Sequence, residues 1–201
     1  MAKRIILAGI LGGIAMFAWQ SISHLVLPLG EVGVRRIHNE DAVIAHLQEN
    51  IYLPGFYIFP DMEQRAGMTK EQRQAAILKH RTGPTGILIY DTRGSELLSA
   101  KQLLTQLGAD ILVMLLAAFL LAQSGGLKGY VERLAFVTLL GAIPWLTVNV
   151  SYWNWYAFPS AYTLAQFVEY GFGFFVAGLV LAKIVDPSPN PATPATSAPA
   201  T

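Results

Sequence analysis

Long apolar stretches alternate with polar segments along this chain, and their lengths determine the architecture that the sequence predicts. The first stretch, residues 1–30, contains no charged residue after Lys3 and Arg4 apart from a possible one at His24. About 20 apolar residues in a helix span the ~30 Å hydrocarbon core of a bilayer. Further apolar stretches follow within residues 102–185, enough for three more helices. We therefore predict an all-α membrane protein, built as a bundle of four transmembrane helices.

The first apolar stretch also bears on processing and packing. A basic start followed by an apolar run characterises cleavable signal peptides, but no small-residue cleavage site follows here, so we expect a retained helix. Gly9 and Gly13 form a GxxxG pattern, which lets two membrane helices approach closely. Because glycine is common in membrane helices anyway, a close helix contact and ordinary composition stay as alternatives.

The polar segment at residues 31–101 carries helix and strand signals of its own. Asn39 is a candidate N-cap before an amphipathic helix, and a capping box starting at Thr69 predicts a second helix ending near His80. Two short apolar runs, GFYIF at 55–59 and ILIY at 87–90, predict strands. We expect a small α+β extracytoplasmic cap between helices 1 and 2.

Breaker and aromatic residues suggest where the other helices begin and end. The second should run from near Ser95 to Ser124, and the third from about 130 to 150 with a kink at Pro144. Residues 151–162 are rich in Trp and Tyr, which suit the membrane–water boundary and predict a loop. The fourth helix should then continue to about residue 185.

Basic residues predict the orientation of the helices. They flank the start of helix 1, the turn between helices 2 and 3, and the end of helix 4, at Lys3, Arg4, Lys128, Arg133 and Lys183. The positive-inside rule then places both termini in the cytoplasm. Residues 186–201, rich in Pro, Ala and Thr, are predicted to form a disordered cytoplasmic tail. Small size and the absence of cysteine point to the bacterial inner membrane.

The composition excludes several kinds of function. The chain has 201 residues, is 53% hydrophobic and contains no cysteine, which excludes disulfides, thiolate metal sites and thiol nucleophiles. A net charge of +1 gives no reason to expect nucleic acid as a partner. The sequence shows no phosphate-binding loop, no metalloprotease motif and no catalytic arrangement, so it identifies no cofactor and argues against an enzyme.

Ionisable residues within the predicted helices are the candidate functional groups, since such residues are rare in membranes and tend to be functional. His24, Asp110 and Glu169 fall at roughly 9–12 Å below the same outer surface, counting ~1.5 Å per residue. Asn149 is somewhat shallower. Each shares a helix face with small or polar residues, such as Gln106 beside Asp110, so we expect one polar layer beneath the cap.

Three interpretations of this polar layer stay open. The side chains could form a hydrogen-bonded cluster that fixes helix pairing. His24, Asp110 and Glu169 could bind a divalent metal ion. The layer of His24, Asp110, Asn149 and Glu169 could also conduct a proton or bind a small solute.

These interpretations lead to two predicted functions. The first is a membrane accessory or interaction protein, acting through its cap and bundle on a membrane-protein partner or a second copy of itself. The alternative is a small transporter or channel subunit that uses the polar layer for a proton, metal ion or small solute. In both, the lipid bilayer surrounds the helices.

Overall fold

The protein is mostly helical in the computed structural model, which describes residues 1–61, 67–96 and 98–186. In chain order the elements are α1 (Ala2–Leu25), α2 (Glu40–Asn50), β1 (Gly55–Phe59), α3 (Lys70–Thr82), β2 (Gly86–Tyr90), α4 (Ala100–Gln123), α5 (Tyr130–Tyr156) and α6 (Ser160–Ile184). Of these, α1, α4, α5 and α6 are long and apolar enough to cross a membrane. The predicted helical bundle with a small two-stranded sheet is therefore confirmed, and its architecture is that of a multi-pass membrane protein.

The chain forms two compact units. The bundle unit consists of Met1–Gly33, Leu98–Ser151 and the residues from Pro159 onward. The loop unit consists of Val34–Leu97 and Tyr152–Phe158. The bundle unit thus holds nearly all of the four long helices.

Helix α1 packs against both α4 and α6 in the bundle unit. Glycines make the approach to α4 possible: a Cβ added at Gly13 would lie 2.5 Å from the Cα of Ile111, and one added at Gly9 would lie 2.8 Å from the Cα of Leu115. Both distances are too short for any side chain. The GxxxG pattern therefore serves a close contact between α1 and α4 within the chain.

Helix α5 packs mainly against α6 and meets α4 only sparingly. Trp145 donates a hydrogen bond from Nε1 to the carbonyl oxygen of Thr163, 2.8 Å away, and so joins the middle of α5 to the start of α6. The order of packing is consequently α4, α1, α6, α5. The side between α4 and α5 is left without a continuous helix contact.

Small and medium apolar residues fill the centre of the bundle unit, and large ones cover its outside. The buried core includes Ala8, Met16, Met114, Ala118, Val137, Ala177 and Leu181. Many Leu, Ile and Phe side chains on the outer faces are exposed. In water such a surface would be unfavourable, whereas on a membrane helix it is the expected lipid-facing surface.

The loop unit confirms the predicted strands and the second predicted helix. Strands β1 and β2 pair antiparallel, with Phe56 opposite Ile89 and Ile58 opposite Ile87. Helix α3 begins with the capping box of Thr69 and Gln72. Because α2 and α3 consist of exposed and half-buried residues, this unit has little hydrophobic core.

The start of α2 matches the prediction in position but not in the capping mechanism. Asn39 is the N-cap residue, yet its φ of 64° lies in the left-handed region and its side chain makes no capping hydrogen bond. Asparagine tolerates this conformation better than most residues. Asn39 therefore favours the turn before α2 because its backbone adopts the left-handed conformation, and not because its side chain caps the helix.

Two predicted boundaries in the long helices are wrong. Helix α4 begins at Ala100, after a capping box formed by Ser99 and Gln102, and not near Ser95. Helix α5 continues to Tyr156 through the aromatic segment that was predicted as a loop. The connection to α6 is therefore only residues 157–159.

A π-helical turn follows the proline in α5. Pro144 is preceded by regular helix, and Trp145–Asn149 then form the π-turn. Proline removes a backbone hydrogen-bond donor, and π-turns are a common way for a helix to accommodate such an irregularity. The turn places Asn149 in a buried position.

An ionic cluster joins the ends of three long helices. Asp186 follows α6 and accepts hydrogen bonds from Arg4 at 2.5 Å and from Arg133 at 2.8 Å. Arg133 also donates to the carbonyl oxygen of Val185 at 3.1 Å. The predicted tail beyond Asp186, residues 187–201, lies outside the described residues.

Candidate functional site

A cavity of about 760 Å³ lies among the four long helices, entirely within the bundle unit. Its polar lining comprises Gln20, Ser21, His24, Gln106, Asp110, Gln166, Glu169 and Tyr170. Most of its other lining residues are apolar. The structure thus places three of the four predicted polar residues, His24, Asp110 and Glu169, on the wall of one cavity.

Asp110 is held by two glutamine side chains. It is 3% exposed, and its Oδ1 accepts hydrogen bonds from Gln20 Nε2 at 3.2 Å and Gln106 Nε2 at 3.0 Å. Gln106 Nε2 also lies 3.1 Å from Gln20 Oε1, so the three side chains form a closed network. Within the part of the chain that the structure describes, Asp110 Oδ2 is buried without a hydrogen-bond partner. One carboxylate oxygen is therefore fixed in place, while the other accepts a hydrogen bond from none of the described residues.

Glu169 is held by helix α1 in a different way. It is 8% exposed, and its Oε1 accepts a hydrogen bond from Ser23 Oγ at 2.8 Å. Trp19 Nε1 donates to the backbone carbonyl of Glu169 at 3.1 Å, which fixes the same turn of α6. Asp110 on α4 and Glu169 on α6 are thus each hydrogen-bonded to a side chain of α1, which lies between these two helices.

His24 also lines the cavity. Its ring lies against Gly30, in the 3₁₀ turn Pro28–Glu31 that follows α1. Among the described residues, no hydrogen bond or ion pair joins His24 to either carboxylate. Amide and hydroxyl groups occupy those positions instead.

Asn149 does not line the cavity. It is buried in the π-turn of α5, and its Oδ1 has no hydrogen-bond partner in the described ranges. A metal site at His24, Asp110 and Glu169 stays a prediction. Across residues 1–61, 67–96 and 98–186, no group of three His, Cys, Asp or Glu side chains is placed to hold a metal ion.

The sequence analysis placed Gln106 beside Asp110 but did not identify the other uncharged polar residues around the two acids. Gln106 and Gln166 precede Asp110 and Glu169 by four and three residues, a spacing that places them on the same helix face. Ser23, which the sequence analysis does not single out, is fully buried against Glu169. A search for amides at helical spacing around each acid finds Gln106 and Gln166. Ser23 lies on a different helix from Glu169, so only the packing of α1 against α6 reveals it.

Replacing Ser23 by alanine should destabilise the protein by about 1 kcal/mol, because Glu169 then loses its hydrogen-bond donor in a buried position. Ser21 is the matched control on the same helix, since its hydroxyl bonds only the Phe17 carbonyl of its own turn. Thermal unfolding of both variants in detergent measures the difference. Equal losses for Ser23→Ala and Ser21→Ala would contradict a specific contact with Glu169.

No protein-family model, curated protein or solved structure matches this chain. Its function must therefore be inferred from the residues that line the cavity.

Proposed function

We propose that this protein is a small transporter or channel subunit that binds a small cationic solute in the bundle cavity. The observation that supports this best is Asp110, a buried carboxylate on the cavity wall. Gln20 and Gln106 hold one of its oxygens, and the other has no hydrogen-bond partner among the described residues. Leaving a buried acceptor unsatisfied is unfavourable, and a ligand that donates to it removes that penalty.

The charge of the lining favours a cation. Asp110 and Glu169 both line the cavity, and of its described lining residues none is Lys or Arg. A positively charged solute with hydrogen-bond donors would compensate the two acids. The groups around the two carboxylates favour an organic cation over a metal ion as the ligand. Amides and a hydroxyl already donate hydrogen bonds to carboxylate oxygens that a metal ion would need as ligands.

Uptake of guanidinium into proteoliposomes tests this proposal, because the ion is small, permanently charged and rich in donors. Asp110→Asn should lower the uptake about tenfold, since it removes the charge and keeps the shape of the side chain. Glu132→Gln is the matched control, because Glu132 is an exposed acid in the capping box of α5. Unchanged uptake by Asp110→Asn, or an equal loss in both variants, would contradict the proposal.

We also propose a location in the bacterial inner membrane, with cytoplasmic termini and an extracytoplasmic loop unit. The basic residues at the ends of the helices support this orientation. Because the chain has no native thiol, single cysteines report it cleanly. Lys79→Cys in α3 should react with an impermeant thiol reagent added outside the cell, and Gly126→Cys, between α4 and α5, should be protected. The opposite pattern would reverse the orientation.

An interaction role is the second candidate function, and a specific surface favours it. One face of the two-stranded sheet carries Phe56, Ile58, Ile87 and Ile89. Three of these four side chains are exposed, Ile89 most of all. Exposed apolar faces of this kind commonly mark contacts with other proteins. A membrane-protein partner or a second copy of this chain would cover it.

Mild-detergent purification followed by mass measurement tests the interaction role. Ile89→Lys should release a partner or convert an oligomer to a monomer, because it places a charge in the contact. Lys79→Glu, on exposed α3, serves as the control for a general change of surface charge. A monomeric wild-type protein that co-purifies with no partner would argue against this role.

A further inference from the structure

We infer that the cationic ligand of the bundle cavity is an amphiphile with a single hydrocarbon chain, which enters from the bilayer between α4 and α5. This inference rests on the proposed cation binding and goes beyond it by naming the ligand class and the route. Three features support it. The cavity continues along an apolar wall beyond Asp110, it is open between α4 and α5, and one oxygen of Asp110 has no hydrogen-bond partner among the described residues.

Along α4 the cavity lining is apolar at Leu103, polar at Gln106 and Asp110, and apolar again from Val113 onward. Gln106 and Asp110 form its polar part, and Val113, Leu116 and Leu120 continue the wall in the direction of the chain. From Asp110 to Leu120 the helix rises ~15 Å. Met16, Leu140 and Phe174 face the same space from the other helices. A small hydrophilic cation bound at Asp110 would leave this apolar part of the wall uncovered, whereas a hydrocarbon chain would pack against it.

The cavity is open on the side between α4 and α5. These two helices meet only sparingly, while every other neighbouring pair in the bundle packs along its length. Leu116 on α4 and Ile143 on α5 line the cavity and are also strongly exposed, at 65% and 55%. The cavity wall is therefore continuous with the outer apolar surface. In a bilayer this surface faces lipid chains, so a molecule dissolved in the lipid can enter sideways.

The polar end of the cavity determines the headgroup. Asp110 is 3% exposed, and its Oδ2 accepts a hydrogen bond from none of the described residues. Glu169 lies on the same wall. A cationic head that donates hydrogen bonds, such as an ammonium or guanidinium group, would satisfy Asp110 while its chain lies along Val113, Leu116 and Leu120. An anionic head would meet two acids and no Lys or Arg among the described lining residues.

Equilibrium binding to the full-length protein in lipid nanodiscs tests the inference with two probes that share one head. Guanidinium carries the head alone, and dodecylguanidinium adds the chain. Dodecanoate serves as the anionic control. Empty nanodiscs correct for partition into lipid, which is the same for every variant.

Two tryptophan substitutions on α4 separate the open side from the rest of the surface. Leu116→Trp places a large ring on the cavity wall at the opening, whereas Leu112→Trp places it on an equally exposed position, 63% against 65%, outside the cavity. Ile143→Trp closes the same opening from α5. If one of the two variants at the opening does not fold, the other still tests the route of entry.

We expect dodecylguanidinium to bind at least about tenfold more tightly than guanidinium, since its chain packs against the apolar part of the cavity wall while guanidinium carries the head alone. Asp110→Asn, Leu116→Trp and Ile143→Trp should each weaken its binding by about tenfold, while Leu112→Trp should not. Dodecanoate should not bind above the empty nanodiscs.

Two results would overturn the inference. The first leaves the proposed cation site intact, and the second also contradicts the proposed function. If guanidinium binds in a manner that depends on Asp110 but the chain adds nothing, or if Leu116→Trp and Ile143→Trp have no effect, the amphiphile is wrong and the cation site stands. If neither probe shows binding that depends on Asp110, the proposed function fails together with the inference.

Discussion

Replacing Gly13 by valine should destabilise the bundle by about 3 kcal/mol, the upper end of the usual range for overpacking. A Cβ at this position would lie 2.5 Å from the Cα of Ile111, and a side-chain rearrangement cannot relieve a contact with backbone. The α1 and α4 helices would have to move apart, and the network of Gln20, Gln106 and Asp110 joins these same helices. Reversible unfolding in mixed micelles would measure the loss.

Gly108→Val is the matched control for this experiment. Gly108 lies on α4, near Ile111, and within the described residues a Cβ there would meet no atom within 4 Å. The two substitutions share the same loss of glycine and the same gain of a branched side chain. A loss for Gly108→Val as large as that for Gly13→Val would show that helix propensity, and not close packing, explains the effect.

The sequence predicted those parts of the fold that depend on short-range signals. The lengths of the apolar segments identified the four long helices, since a run of about 20 apolar residues is typical of a transmembrane helix. The capping box at Thr69 and the apolar run at residues 55–59 located α3 and β1 to within a residue or two. Each of these signals acts within one element and needs no knowledge of neighbouring helices.

The wrong helix ends have a common physical cause, which is competition between two plausible local signals. Ser95 and Ser99 are both good N-cap residues, and the structure uses Ser99 because Gln102 completes its capping box. The aromatic residues after Val150 suit a membrane boundary, but they suit the last turns of a helix equally well. Composition alone does not distinguish a loop from a helix end at the interface.

The candidate site was predicted only in part, because the partners of a buried acid depend on tertiary packing. Asp110, Glu169 and His24 line one cavity, and their equal depth in a bilayer stays a prediction. Depth says nothing about rotation around the helix axis, so it could not show that Gln20 faces Asp110 or that Ser23 faces Glu169. The open side between α4 and α5 also depends on the order in which four helices pack.

Replacing Arg133 by methionine should destabilise the protein by about 2 kcal/mol, because the guanidinium makes charge-assisted hydrogen bonds at a largely buried position. Its side chain is 13% exposed and donates to Val185 and Asp186 at the end of α6. Methionine keeps much of the aliphatic length, so the change isolates the polar contacts. Chemical or thermal unfolding of the purified protein in detergent would give the value.

Arg4→Met tests whether burial, and not charge alone, explains this loss. Arg4 binds the same Asp186, yet both side chains of that pair are 63% exposed. Exposed ion pairs contribute at most about 1 kcal/mol and weaken with salt. We therefore expect a small, salt-sensitive loss for Arg4→Met and a larger, salt-resistant one for Arg133→Met. Equal losses would mean that Arg133 acts only through Asp186, and that its bond to the Val185 carbonyl adds nothing to the attachment of α5 to α6.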